Sequence, residues 1–159
     1  MSAPDREAYA ARQAQLLDAL LRGDEPPPGF DAVQAGAAGS SLRRKRGRLV
    51  ALAWPALALE LGDTFATRFD AFARAVAAPR SGLPLEDGLA FARTLQARAE
   101  LGDEARAELL LARATLRRRG VFVAAAWLRR PRSRLLVVAR IPRLGTLHRS
   151  LLRRGRRAG

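Results

Sequence analysis

The chain has 159 residues, 48% of them hydrophobic, enough for one compact domain or a domain with a short appendage, and it excludes wholesale disorder. It contains no cysteine, which excludes a disulfide framework and any cysteine-based zinc or iron-sulfur site, and its one histidine is His148. Basic residues number 29 against 15 acidic, a formal charge of +14, and every basic residue but Lys45 is arginine.

The charge is unevenly placed. Residues 1–116 hold fifteen basic and fifteen acidic side chains, whereas residues 117–159 hold fourteen arginines and no acid. The split predicts a neutral folded body, 1–116, carrying a basic C-terminal module, 117–159. Asp5, Arg6 and Glu7 stand where a secretion signal would need its apolar core, so a cytoplasmic setting is the expectation. The longest uncharged apolar run, Leu49 to Leu59, has eleven residues, short of the roughly 20 that a membrane-spanning helix needs.

In chain order, the first helix is predicted over 3–22, with Tyr9, Gln13, Leu16, Leu17, Leu20 and Leu21 forming one stripe. Gly23 stops it, Pro26-Pro27-Pro28-Gly29 makes a stiff spacer, and Phe30 is expected to anchor the chain back onto the body. Residues 31–41, with Gly36 and Gly39, read as the weakest part of the body, and Ser40 or Ser41 is expected to cap a helix through Leu42, Leu49, Val50 and Ala53. That helix carries Arg43, Arg44, Lys45, Arg46 and Arg48. A solvated face is the plain reading of the cluster, but cations in the first turns oppose the helix dipole, so an acidic partner or an internal acidic neighbour is implied.

Pro55 suits the first turn of a short helix reaching Gly62, after which Asp63 is expected to cap the next. In that helix Phe65, Phe69, Phe72 and Val76 recur at i, i+4, i+7 and i+11, one face pressed on a core around which the rest is organised. Pro84 opens a further helix with Glu86 and Asp87 in its first turn and Leu85, Leu89, Ala92 and Leu95 on one face. Asp103 is expected to cap the last helix of the body, with Ala105, Leu109, Ala112 and Leu116 inward. Residues 121–128 and 134–141 are apolar runs of eight flanking Arg129-Arg130-Pro131-Arg132-Ser133, which predicts a β-hairpin, with a helix over 120–129 the alternative. Pro142 and Gly145 close this unit, and LHRSLLRRGRRAG, residues 147–159, reads as a frayed helix or a disordered basic tail.

Side-chain catalysis needs a nucleophile with its base, paired carboxylates in a pocket, or a metal or cofactor site. His148 has no visible companion, and Glu86-Asp87 and Asp103-Glu104 sit at helix starts, where acids serve the dipole. Gly36-Ala37-Ala38-Gly39-Ser40-Ser41 lacks the lysine and strand of a P-loop. The expectation is a non-enzyme with no cofactor. Binding remains: Arg43, Arg44, Lys45, Arg46 and Arg48 in the body, and Arg117, Arg118, Arg119, Arg129, Arg130, Arg132, Arg134 and Arg140 beyond it, are the candidate partner- or anion-binding residues. They could meet phosphates, anionic lipid heads or an acidic protein, and Trp127 beside Arg129 and Arg130 could stack a base.

Three stretches carry a family resemblance: AARQAQLLDALL before its proline break, LVALAWPALALELGDTFATRFDAFA, and APRSGLPLEDGLAFARTL. On them, residues 8–116 resemble the N-terminal domain of the HvfC/BufC-like family, proteins once labelled DNA-binding, and the chain looks like an actinobacterial variant with a short basic extension. The resemblance implies a non-catalytic accessory protein that binds a multinuclear non-haem iron peptide-modifying enzyme and its ribosomal precursor peptide. A nucleic-acid-binding regulator using the basic clusters on phosphates is the alternative. The expected architecture is mainly α, a bundle of five or six helices with a small C-terminal β-hairpin.

Overall fold

The computed structural model describes residues 3–79, 81–117, 121–128, 134–141 and 145–152. It is mainly helical, with a small antiparallel sheet at the C-terminal end. Helix α1 spans Ala3–Arg22 and α2 spans Ala32–Ala53. The chain start of α2 differs from expectation: Asp31, not Ser40 or Ser41, is the cap, its Oδ1 accepting from the Gln34 amide at 2.8 Å. The stretch 31–41 is thus helix despite its glycines, because close packing outweighs their low propensity. A Cβ on Gly39 would stand 2.4 Å from the Leu20 carbonyl oxygen, and one on Gly47 3.0 Å from the Phe69 ring. These two glycines are where α1 and the phenylalanine helix cross α2. No residue of the predicted α1 stripe is buried: Leu16, Leu20 and Leu21 are half-buried and Tyr9, Gln13 and Leu17 exposed, while Ala19, off the stripe, is buried. Phe30 is exposed too and does not anchor the spacer.

At Trp54 the chain turns sharply, by 112° between 32–53 and 55–75. Helix α3, Pro55–Leu61, starts on its proline; a 3-10 turn, Gly62–Thr64, leads into α4, Phe65–Ala75; α5 is Pro84–Ala97 and α6 is Asp103–Leu116. Asp63 falls inside the 3-10 turn, so α4 has no side-chain cap. Nor does Asp103 cap α6. Two glutamates do the capping across the fold instead: Glu60 of α3 accepts from the Gly102 and Ala105 amides at the start of α6, at 2.5 and 3.3 Å. Glu108 of α6 accepts in return from the Ala56 and Leu57 amides at the start of α3, at 3.3 and 2.8 Å. Each helix satisfies the orphan donors of the other, which ties their relative position.

Phe65, Phe69 and Phe72 of α4 and Phe91 of α5 form the centre of the core, with Phe91 edge-on to Phe69 at 5.4 Å between ring centroids. Trp54 is wholly buried beside them, its indole N–H donating to the Leu85 carbonyl at 3.3 Å. Gly88 gives it room, since a Cβ there would lie 2.2 Å from the indole nitrogen. Into this apolar region the fold places a charge pair. Asp87, 4% exposed, takes two hydrogen bonds from Arg46, 2.5 Å from Nε and 2.7 Å from Nη2, and the same guanidinium lies 5.6 Å from the Phe69 ring centre.

Strands β1, Phe122–Leu128, β2, Arg134–Ile141, and β3, Gly145–Leu152, form an antiparallel sheet in the order β1-β2-β3. The expected hairpin is present, and 122–128 is strand rather than helix. Gly145–Leu152 is a third strand, paired with β2 in the register Val138 to His148, where a frayed helix or tail was expected; the rest of that expectation, 153–159, lies outside the described residues. Its pairing is what orders it. Helix α6 serves both cores: Ala105, Leu109 and Ala112 face the helices, while Leu110 and Ala114 pack with Leu128, Leu136 and Val138 of the sheet. Among the described residues no single helix is long and apolar enough to cross a membrane.

Truncating Asp87 to alanine leaves the Arg46 guanidinium charged and nearly buried, and should cost about 3–5 kcal/mol in urea unfolding. The double replacement Arg46→Met with Asp87→Leu should recover most of that loss, because it removes both desolvated charges together.

Candidate partner-binding surface

The arginine cluster of α2 divides into two groups once the helix is packed. Arg43 is 3% exposed and points inward; its Nε donates to Asp70 Oδ1 at 2.9 Å and its Nη1 to the Leu20 carbonyl at 2.8 Å, at the α1 crossing. Arg46 is held by Asp87. These two therefore answer to internal acidic neighbours and are withdrawn from any partner surface. Arg44, Lys45 and Arg48 are exposed. The division follows from helical geometry, since Arg43 and Arg46 share the face that carries Gly39, Gly47 and Val50 into the core.

Beside the outward group lies a groove of about 380 Å³ along the seam of α2 and α4. Gly47 and Ala51 of α2 and Phe65 and Phe69 of α4 make its floor; Arg44 and Arg48 stand along one wall and Ala66 and Asp70 along the other. Asp70 is already engaged on both oxygens, by Arg43 and by Arg74 Nε at 2.9 Å. Its partial burial alone would raise its pKa, but the hydrogen bonds and charges of Arg43 and Arg74 outweigh this and hold the carboxyl below its ordinary 3.8. The groove thus has an apolar floor and a net positive wall. Its cations Arg43, Arg44 and Arg48 were among the predicted site residues, whereas its apolar lining and Asp70 were not, although Gly47 and Ala51, small and one turn apart beside bulky neighbours, are the sequence signal for a close helix crossing.

The C-terminal candidates are placed differently. Arg140 donates from Nη1 to the Ala114 and Thr115 carbonyls, at 3.0 and 2.5 Å, and so closes the C-terminal end of α6. Arg117 is exposed at that same end. Arg118, Arg119, Arg129, Arg130 and Arg132 lie outside the described residues, as do the side chains of Arg134 and Trp127. On the sheet, α6 covers the side bearing Leu128, Leu136 and Val138. The opposite side carries exposed Val123 and Leu147, with half-buried Val137 and Ala139 between them. Within the described sheet, β1 and β3 each pair with β2 alone. Strand β3 bears His148 and Arg149, but β1, FVAAAWL, has neither charge nor proline. Among the described residues no group of three or more His, Asp or Glu could hold a metal ion.

Residues 10–97, from within α1 to the end of α5, match the family described as SCO6045-like, C-terminal domain. The chain belongs to that family. This corrects the resemblance to the HvfC/BufC-like family, whose three stretches are helical packing motifs that specify an arrangement of apolar residues and not a lineage. A UPF0276 protein of Streptomyces avermitilis is 36% identical over 92 residues, which are 58% of this chain and 18% of that relative. The chain thus corresponds to less than a fifth of the length of that curated relative. No solved structure matches.

Asp70 supplies a pH test of the α2–α4 wall. Because its folded pKa is depressed, its contribution to stability is full above the ordinary carboxyl pKa and is lost as pH falls through the folded value. Asp70→Asn should therefore destabilise at neutral pH, and the difference from the parent should close on acid titration below about pH 4, read by thermal unfolding across pH.

Proposed function

We propose that this chain is a non-catalytic accessory module that docks on a separate partner through its C-terminal sheet, adding an extended acidic segment to the edge of β1. The observation that carries the reading is that edge. Exposed edge strands in folded proteins are normally blunted by charge, proline or a covering element, and β1 has neither charge nor proline while its outer edge pairs with no described strand. Main-chain hydrogen bonds from such an edge give affinity without demanding a particular sequence. The fourteen arginines of 117–159, with no acid among them, would select an acidic segment and speed its approach.

The relative supports the modular part of this reading, since there the matching segment is a minor share of a longer protein. A module kept beside a larger body in one relative is suited to associate with a larger body here. A multinuclear non-haem iron enzyme with its precursor peptide is the pairing to look for first. The reading sets the encounter in the cytoplasm. Phosphate binding ranks second because Arg43 and Arg46 of the α2 cluster are held inside the fold and Arg140 is engaged at a helix end.

Ala125 is exposed in the middle of β1, so Ala125→Lys introduces an edge guard while leaving the fold intact. Captured from the native host after nuclease treatment and a high-salt wash, the parent should retain a stoichiometric protein partner, and Ala125→Lys should reduce its recovery by about tenfold or more. Equal recovery on both would remove the edge from the mechanism. Loss of all partners with the nuclease, on both proteins, would favour the phosphate reading.

A further inference from the structure

The α2–α4 groove is a second surface, remote in sequence from the sheet and independent of it. We infer that it receives an acidic amphipathic helix of a partner protein, with large apolar side chains on the phenylalanine floor and carboxylates against Arg44 and Arg48. Three features of the groove lead there. Its lining is mainly apolar: Gly47, Ala51 and exposed Ala66 surround the upper edges of Phe65 and Phe69, whose rings are themselves only 7% and 1% exposed. The small residues Gly47 and Ala51 keep that seam low on the α2 side, so a ridge from a third helix has a groove to enter.

The charge on the walls chooses the occupant. Of the four charged residues lining the groove, Arg43 and Asp70 neutralise each other at 2.9 Å, and Asp70 is further neutralised by Arg74. Arg44 and Arg48 remain, exposed and outside every ion pair found among the described residues. They stand four residues apart, one helical turn or about 6 Å of rise, which is the spacing of two carboxylates at i and i+4 on a facing helix. One phosphate could engage both, so it is the apolar strip beside the cations, rather than their spacing alone, that favours a helix over a headgroup. A paired, turn-spaced set of cations above an apolar strip matches the helix-in-groove mode of recognition, with arginine rather than lysine suited to bidentate carboxylate contacts.

The test is selection from a displayed library of random peptides on the full chain, with counter-selection on two variants. Arg44→Ala with Arg48→Ala removes the cations at exposed sites, and Ala66→Trp fills the groove from the exposed wall of α4; circular dichroism checks that both keep the fold. Peptides enriched on the parent should carry acids at i,i+4 spacing beside leucine or phenylalanine. They should bind the double variant at least about tenfold more weakly, and more weakly at high salt, while Ala66→Trp should abolish binding. Binding to Ala125→Lys should be unchanged, which separates this site from the sheet edge. The inference is overturned if no peptide is enriched on the parent over Ala66→Trp, or if enriched peptides lack acids. It is equally overturned if both variants bind as the parent does, or if Arg44 and Arg48 are needed only for sedimentation with phosphatidylglycerol vesicles.

Discussion

The Arg46–Asp87 pair is the constraint on which the helical body turns. A guanidinium and a carboxylate placed among phenylalanines cost several kcal/mol each in lost hydration, which only good geometry repays. Two parallel hydrogen bonds, a ring face at 5.6 Å and the Val76 carbonyl supply that geometry for Arg46. Because these contacts come from α5 and from the middle and end of α4, the pair fixes α2 against α4 and α5 at once.

The same logic of long-range polar contacts recurs at the helix ends. Glu60 and Glu108 exchange caps between α3 and α6, and Arg140 closes α6 from the sheet side. Helix α6 is thereby held at both ends while burying two opposite faces, one in each core. The sheet has too little apolar area of its own to stand alone, since a three-stranded sheet needs a covering element on at least one face. It borrows that cover from the helical body. The boundary drawn from charge at residue 116 therefore marks a change in surface chemistry, while the packing runs across it.

This arrangement leaves the outward chemistry in two places with different characters. The α2–α4 seam offers an apolar lining and turn-spaced cations; the sheet offers an edge strand, β1, that pairs on its outer side with no described strand, in an arginine-rich module. The two proposals assign acidic partners to both, and they sit in different parts of the sequence, one inside the family segment 10–97 and one beyond it. A module with both could hold one partner while presenting another.

Several features were legible in the sequence. Phe65, Phe69 and Phe72 named α4 and its buried face, though Val76, the last position of the repeat, lies past the helix and is exposed; Pro55 and Pro84 marked two helix starts, and the apolar runs flanking Arg129–Ser133 marked two strands, because proline, glycine and side-chain periodicity act through the local backbone. Local signals also misled. Ser40, Asp63 and Asp103 have capping chemistry but none caps its helix, and Gly36 and Gly39 suggest weakness where α2 is continuous. The third strand could not be read at all from LHRSLL, since its order comes from pairing with β2. For the candidate site, the sequence determined that arginines cluster on α2 and past residue 116. Only tertiary structure decided which of them face a partner, because whether an arginine meets Asp70, Asp87, a helix end or solvent depends on residues as many as 41 positions away along the chain.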